Sequence, residues 1–567
     1  TTAAPETTAA PETTVAPETT AQPQPSNVYD CTTCPNSKCV ANPSGNAGAS
    51  DDSCDQCTGG YEWWPCQPSG QLCMCQGAAP ETTTSGPVTS GTNTTGEQTT
   101  ASPETTAAPA PGAYQCGVGG SPCDDKVVFG YTTNWAMYGR NFEAYQLPMD
   151  KLTHMLYAFW NIDENSCEIV SVDEFADFER TIPAGSNTCV NNQKWTDDNS
   201  ASGTIHAYTT MREQAPHMKL LLSVGGWSMS STFSKCSKNA ADRAKIIKSV
   251  KDFLVKYDFD GIDYDWEYPG ANRTDGDGIP KFASKWYYDV EHDKDSYIAL
   301  LKETRAMLTE LGAEKNKYYL QTIAIGMGPD KIDYLAPMYQ DNETMATSLD
   351  FINMMTYDFH GGWGEVPLGH NAPLHPPTNN NPDNVGMSVQ ESVEKMMDLV
   401  GADYHKKLVM GLPSYGRSIE VPAGTDIESA LSTAKTLPLK ASTTVKSWEN
   451  GVVSYWQQEW YESQAGWEKK FDSEANQHYL WNADENVFMS YDTPEDIKAK
   501  VEWLNSKNLG GAMFWEMDDD PMIWPKAVTG HSAGSARQGE KIFDAALETL
   551  TSCKVPNRSR RLSDIFV

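Results

Sequence analysis

The sequence predicts an α/β fold: a (β/α)8 TIM barrel with an α+β insertion between strand 7 and strand 8, preceded by a small disulfide-rich module and disordered stalks. Three observations predict it. From residue 124 onward, apolar runs of strand length alternate with amphipathic helical stretches, as parallel strands do with their crossover helices. The runs number eight, enough to close a barrel. Ahead of residue 116, tracts rich in Thr and Pro flank a short segment dense in cysteine.

Residues 1–25, within a stalk spanning 1–30, repeat Thr-Thr-Ala-Ala-Pro-Glu with small variations. Such a composition cannot build a core and reads as a disordered, O-glycosylated stalk. Residues 31–75 hold eight of the 14 cysteines, and so small a unit needs covalent staples. The spacings Cys31/Cys34 and Cys54/Cys57 also fit a zinc ribbon, but four further cysteines and the lack of His favour disulfides. Tyr61, Trp63 and Trp64 beside Gly59 and Gly60 are candidates to stack on sugar faces, or else they form the module's own core. Residues 76–115 return to a Thr/Pro-rich linker, and 116–553 form the barrel.

The strand candidates are 127–132, 153–159, 218–224, 259–266, 319–326, 350–356, 407–412 and 510–515, with helices such as 240–256 and 294–311 between them. The seventh and eighth candidates lie too far apart for one helix. Residues 416–489, rich in Trp and Tyr, therefore form the insertion. Residues 554–567 are a tail in which Arg558-Ser-Arg-Arg561 has the form of a processing site. Of the six cysteines around the barrel, proximity in sequence pairs Cys167 with Cys189.

Lys and Arg number 43 against 76 Asp and Glu, a net charge of −33. That excludes nucleic acid and anionic membrane surfaces as partners, since both need a basic footprint. No apolar run spans a bilayer, so no membrane insertion is expected. The chain begins at Thr1, which fits a removed signal peptide or a fragment. The cysteines, the stalks and the Asn-x-Ser/Thr triplets at Asn93, Asn272, Asn342 and Asn557 point to secretion.

The chemistry centres on Asp260-Gly-Ile-Asp-Tyr-Asp-Trp-Glu267. Asp263, Asp265 and Glu267 are spaced to share one face of a strand. Three clustered carboxyls cannot all ionise at ordinary pH, so one keeps its proton, as the general acid of glycosidic cleavage must. Asp-x-Asp-x-Glu can also ligate calcium, but Phe259, Ile262, Tyr264 and Trp266 are bulky and apolar, which implies a buried strand instead of a calcium loop. Gly530-His-Ser-Ala-Gly534 spells a nucleophile elbow, yet no His follows His531, so it reads as a surface turn. His360, His370 and His375 share one loop without a metal-site spacing.

The octet resembles the Asp-x-x-Asp-x-Asp-x-Glu signature of glycoside hydrolase family 18, the chitinase family. Leu222-Ser-Val-Gly-Gly-Trp227, Met355-Thr-Tyr-Asp358, Leu408–Arg417 and Leu509–Trp515 resemble that family's motifs on strands three, six, seven and eight. The resemblance covers roughly residues 124–528 and implies hydrolysis of β-1,4-linked N-acetylglucosamine without metal or cofactor. It makes Glu267 the acid and base, and Asp265 the group that orients a substrate acetamide. Asp263 would share a proton with Asp265, and Tyr357 would be a hydrogen-bond donor to the acetamide. Trp515 would be the floor under the sugar, and Asp358 lies beside Tyr357. Tyr131, Phe159 and Met355 divide evenly between core and pocket. Trp135, Trp227 and Trp363 are outer platforms or surface packing, and Arg417 contacts substrate or pairs with a carboxylate. The partner expected is chitin or its oligosaccharides, the place extracellular, and the protein a monomer. A chitin-binding lectin on the same barrel, or an endo-β-N-acetylglucosaminidase acting on N-glycans, is the alternative.

Overall fold

The computed structural model describes, with short breaks, residues 121–180, 203–273, 282–376, 382–520 and 541–553, with the backbone of four short strands between Tyr29 and Cys75. Chain contacts divide the protein into two units, Thr1–Thr106 and Ala107–Val567. In the first, the strands Tyr29–Asp30, Trp63–Gln67, Leu72–Cys75 and Cys39–Ala41 lie side by side in that order. Trp63 and Trp64 fall in one of these strands. Their side chains, Tyr61, the module's cysteine pairing, the stalks, Cys189, residues 530–534 and the tail lie outside the described residues.

The second unit is the barrel. Its strands are β1 Val127–Thr133, β2 His154–Ile162, β3 Lys219–Gly225, β4 Gly261–Asp265, β5 Leu320–Gly326, β6 Phe351–Met355, β7 Leu408–Pro413 and β8 Gly511–Trp515. Each pairs in parallel with its neighbours, and β8 returns to β1 to close the sheet. Both faces of these strands are buried, which is why they read as continuous apolar runs in sequence. Alternate residues divide between two cores. Phe129, Tyr131, Leu156, Leu221, Ala324, Val409 and Met513 fill the inside of the barrel. Val128, Tyr157, Leu222, Ile262, Tyr264, Ile323 and Phe514 face the helices.

Helices follow β2 to β8, among them Ala240–Tyr257, Asp293–Lys315 and Pro494–Ser506. Their starts are locally encoded. Asn239 caps the first of these by accepting from the Asp242 N–H at 3.0 Å, and Thr493 forms a capping box with Asp496. Asp260, the opening residue of the octet, is structural. It takes Lys317 at 2.9 Å, Arg212 at 3.2 Å and the Leu220 N–H at 2.9 Å, which pins the start of β4 to its neighbours.

The insertion is α+β, as expected. Strands from Tyr415–Glu420 to Val487–Ser490 form a second, antiparallel sheet with the helices Ile427–Thr433 and Tyr455–Glu462. One strand comes from elsewhere: Trp363–Pro367, in the β6–β7 connection, pairs with Thr436–Ala441 at the sheet edge. The disulfide expectation needs correction. Cys167 bonds Cys236, not Cys189. The hairpin that lays Ile169–Val170 back against β2 carries Cys167 to the short helix Phe233–Ser237 after β3. Spatial order therefore overrides nearness in sequence. A second disulfide joins Cys123, ahead of β1, to Cys553, behind the helix Lys541–Thr549.

Candidate active site

β4 brings Asp263 and Asp265 to the inside of the barrel, and Glu267 follows two residues past its C-terminal end. In the described residues the expected single face thus splits into two inward strand residues and one loop residue. Asp263 lies in register with Ser223 of β3 and Thr322 of β5. Both hydroxyls donate to it, at 2.7 and 2.5 Å, and Tyr131 of β1 donates at 2.9 Å. Burial pushes the Asp263 carboxyl up, while these hydroxyls pull it back. A carboxyl ringed by donors holds negative charge more readily than its neighbours do.

Asp265 lies in the opposite situation. It is buried, and its Oδ1 has no hydrogen-bond partner. Burial, then the Glu267 charge, then Asp263 raise it well above the carboxylate range. Of the two neighbouring carboxyls, Glu267 pushes it up harder than Asp263 does. Glu267 is only 8% exposed. Burial pushes it up to about 7, against the pull of the Arg273 charge and a hydrogen bond from Tyr268, with Asp358 adding a smaller push upward.

The backbone around Glu267 is held by the end of β3. Its N–H donates to Ser230 Oγ at 2.9 Å, and that hydroxyl lies 2.9 Å from the Gly226 carbonyl and 3.1 Å from that of Asp265. The Gly226 N–H donates to the Asp265 carbonyl at 2.7 Å. Gly225 has φ +117°, and a Cβ there would sit 2.1 Å from the Asp265 carbonyl oxygen, so only glycine allows this approach.

The walls come from other strand ends. Tyr357 is buried behind β6, its hydroxyl 3.8 Å from Met513 Sδ, and burial with the nearby Asp265 keeps it a protonated donor. Asp358 adopts φ +58° and accepts Arg417 through Nε and Nη2, each at 2.7 Å, and Tyr415 Oη at 2.7 Å. Of the two roles open to Arg417, the carboxylate pair is the one observed. Trp515 is half-buried, stacked on Phe159 at 5.4 Å and edge-on to Tyr131 at 5.4 Å. Tyr131, Phe159 and Met355 belong to the inner core, against which Trp515 packs. Trp227 and Trp363 are 49% and 52% exposed.

Several residues at the site carry no motif of their own. Tyr268, Ser230 and Arg273 are placed by the connections after β3 and β4. Arg140 of the β1–β2 connection inserts among Glu516, Asp518 and Asp519, directly after Trp515. Its guanidinium bonds Glu516 and, at 2.5 Å, Asp518, while Ser454 of the insertion donates to Asp519 at 2.5 Å. Among the described residues these three carboxylates alone lie close enough together to suit a cation, and Arg140 already supplies positive charge there. His360, His370 and His375 each engage a different neighbour: Asn384, Asp472 and Gln390.

A family model described as Glycosyl hydrolases family 18 matches residues 127–520. "Chitinase 1" of Aphanocladium album is 32% identical over 389 residues, spanning 68% of this chain and 80% of that protein. "Chitinase A1" of Niallia circulans is 32% identical over 427 residues, 70% of this chain and 57% of that longer protein. Among solved structures, chitinase ChiA74 from Bacillus thuringiensis matches with a TM-score of 0.63 at 27% identity, covering 77% of this chain and 71% of that one. The Ostrinia furnacalis group IV chitinase in complex with allosamidin matches with a TM-score of 0.55 at 25% identity, covering 74% and 98%.

Proposed function

The chain belongs to glycosyl hydrolases family 18, and from that membership we propose that it is a chitinase, cleaving β-1,4 linkages between N-acetylglucosamine units with retention of configuration. The observation that carries the reading is Glu267, a buried carboxyl held at about 7 beside the open C-terminal end of the barrel. Protonated near neutrality, it gives its proton to the leaving glycosidic oxygen. The substrate's own acetamide oxygen then attacks the anomeric carbon, and the bond to the leaving sugar breaks, giving an oxazolinium ion. Asp265 orients the acetamide and Tyr357 donates to its oxygen. Glu267, now ionised, takes a proton from the incoming water, which opens the oxazolinium from the face the leaving group left. Asp263, accepting from three hydroxyls, adds to the push that discourages Asp265 from ionising. Trp515 on Phe159 forms an aromatic floor suited to a sugar face.

The protein is further proposed to be secreted, with residues 31–75 a carbohydrate-binding module on Thr/Pro-rich tethers. Among the described residues no helix is long and apolar enough to cross a membrane. The deciding experiment is product mass spectrometry on N-acetylglucosamine oligomers with wild type and Glu267→Gln. Short oligomers from wild type and a loss of at least ~100-fold in the variant are expected. Binding without turnover in both would make the chain a lectin. Release of whole glycans from glycoproteins with no oligomer products would move it to the N-glycan reading.

A further inference from the structure

Asp358 follows Tyr357 directly and adopts φ +58°, a left-handed conformation that a residue other than glycine keeps only when its surroundings hold it. The holder is Asn371. Its Oδ1 accepts the Asp358 N–H at 3.1 Å, and its backbone carbonyl accepts the Phe359 N–H at 3.0 Å. These N–H groups belong to the peptide units on either side of the Asp358 Cα, so one residue fixes both planes of the turn. The first of them is also the peptide that carries the Tyr357 carbonyl. On the other side of Tyr357, the Thr356 hydroxyl donates to the Gly411 carbonyl of β7 at 2.6 Å. Tyr357 thus sits between a fixed point on the barrel and a fixed point on Asn371.

Asn371 is itself immobilised. It is 1% exposed and lies in the β6–β7 connection, after the strand Trp363–Pro367. Its backbone N–H donates to Ser490 Oγ at 3.0 Å, at the end of the insertion strand Val487–Ser490. Its Nδ2 donates to the Tyr415 carbonyl at 3.4 Å, at the start of the insertion strand Tyr415–Glu420. The side-chain amide can face only one way, since turning it over would set NH2 against the Asp358 N–H and oxygen against the Tyr415 carbonyl. His370 steadies the same contact from behind, with Nδ1 3.2 Å from Ser490 Oγ and Nε2 3.1 Å from Asp472 Oδ2. Next along the chain, Ala372 packs in the inner core with Tyr357 and Tyr415.

We infer that Asn371 is a positioning residue for the reaction: buried behind the Asp358 turn, it carries the rigidity of the insertion sheet to the end of β6 and so fixes where the Tyr357 hydroxyl stands. The inference rests on the chitinase reading, in which that hydroxyl donates to the substrate acetamide. A donor displaced by about an ångström costs up to about 100-fold in rate. Contacts elsewhere along the sugar chain are untouched, so the loss falls on kcat and not on KM.

The test is a double-mutant cycle on soluble N-acetylglucosamine oligomers with wild type, Asn371→Leu, Tyr357→Phe and the double variant, each assayed well below its melting temperature. Leu is close to Asn in size and lacks both the acceptor and the donor. Asn371→Leu is expected to lower kcat about 10- to 100-fold while KM changes by no more than about threefold. In the Tyr357→Phe background the same replacement should lower kcat by no more than about threefold, because the hydroxyl it places is already gone. Asn371→Asp keeps an acceptor for the Asp358 N–H, so it should lose less kcat than Asn371→Leu and couple to Tyr357→Phe in the same sense. It carries the cycle if Asn371→Leu does not fold. Losses that multiply in full in the double variant overturn the inference, because Asn371 would then serve stability alone. So does a Tyr357→Phe variant as fast as wild type, or a loss in Asn371→Leu confined to KM. If wild type cleaves no oligomer, the chitinase reading fails and takes this inference with it, whereas an active wild type with fully multiplied losses sinks the inference alone.

Discussion

Glu267 ionises against burial and with the help of Arg273 and Tyr268, and burial wins, carrying the carboxyl from its ordinary 4.5 to about 7. Two consequences follow at this residue. The proton donor is lost as pH rises through about 7, so the alkaline limb of kcat/KM should fall there, and a pH series on soluble oligomers reads it directly. The second concerns stability. The folded state holds this proton where the unfolded chain releases it, so stability falls between about pH 4.5 and 7 and the full cost is present above 7. A shift of that size corresponds to about 3 kcal/mol. Glu267→Gln removes the charge and keeps the shape. It should therefore raise the melting temperature at pH 8 and leave it unchanged at pH 4, even as activity disappears. Melting curves at the two pH values check the sign. The gain at pH 8 would mark the acid as a site where stability is given up for function.

At the scale of elements, the end of β8 is fastened by Arg140 in addition to its strand hydrogen bonds. Glu516, Asp518 and Asp519 are buried around one guanidinium, and burial keeps Glu516 well above the carboxylate range and Asp519 at about 6. Arg140→Ala leaves these carboxyls without their cation, and breaking a buried pair from one side costs about 3–5 kcal/mol. The loss should grow with pH as the stranded carboxyls ionise. Urea unfolding at pH 5 and pH 8 measures it, and a loss equal at both would show that packing and not charge is at stake. This cluster also marks the limit of what the chain reveals unaided. The eight strands were legible because both their faces are buried, which leaves unbroken apolar runs such as Val127–Tyr131. Asp263 and Asp265 were legible because a strand's period of two turns both to one face, and Glu267 continues that spacing just past the strand end. Arg140 meets its partners across more than 370 residues, Arg273 acts through a stacked loop, and Trp363–Pro367 joins a sheet whose other strands lie beyond β7. None of these contacts leaves a periodic trace. Cys167 was misassigned for the same reason, since its partner is set by a hairpin and a helix and not by distance along the chain.

At the scale of the molecule, two devices hold separate parts to one task. The Cys123–Cys553 disulfide closes a separation of 430 residues and draws the helix Lys541–Thr549 onto Pro494–Ser506, where Asn505 bonds the Thr549 carbonyl at 2.8 Å. Replacing both cysteines by Ser should cost about 2–5 kcal/mol and open the C-terminal helix to proteolysis, with kcat on oligomers unchanged. The tethered module makes the other, proposed device. A linked binding unit converts encounter with an insoluble surface into a local event, raising effective concentration without touching the chemistry. Removal of residues 1–115 keeps all four cysteines of the two described barrel disulfides. The shortened chain should match the full chain on soluble oligomers, where tethering contributes nothing. On particulate chitin at dilute enzyme it should fall well behind, and the deficit should shrink as enzyme or substrate is raised. Initial rates on both substrates across enzyme concentration separate the cases. Equal rates on particles would remove the module from catalysis at surfaces, whereas a deficit on oligomers as well would mean that the N-terminal unit supports the barrel itself.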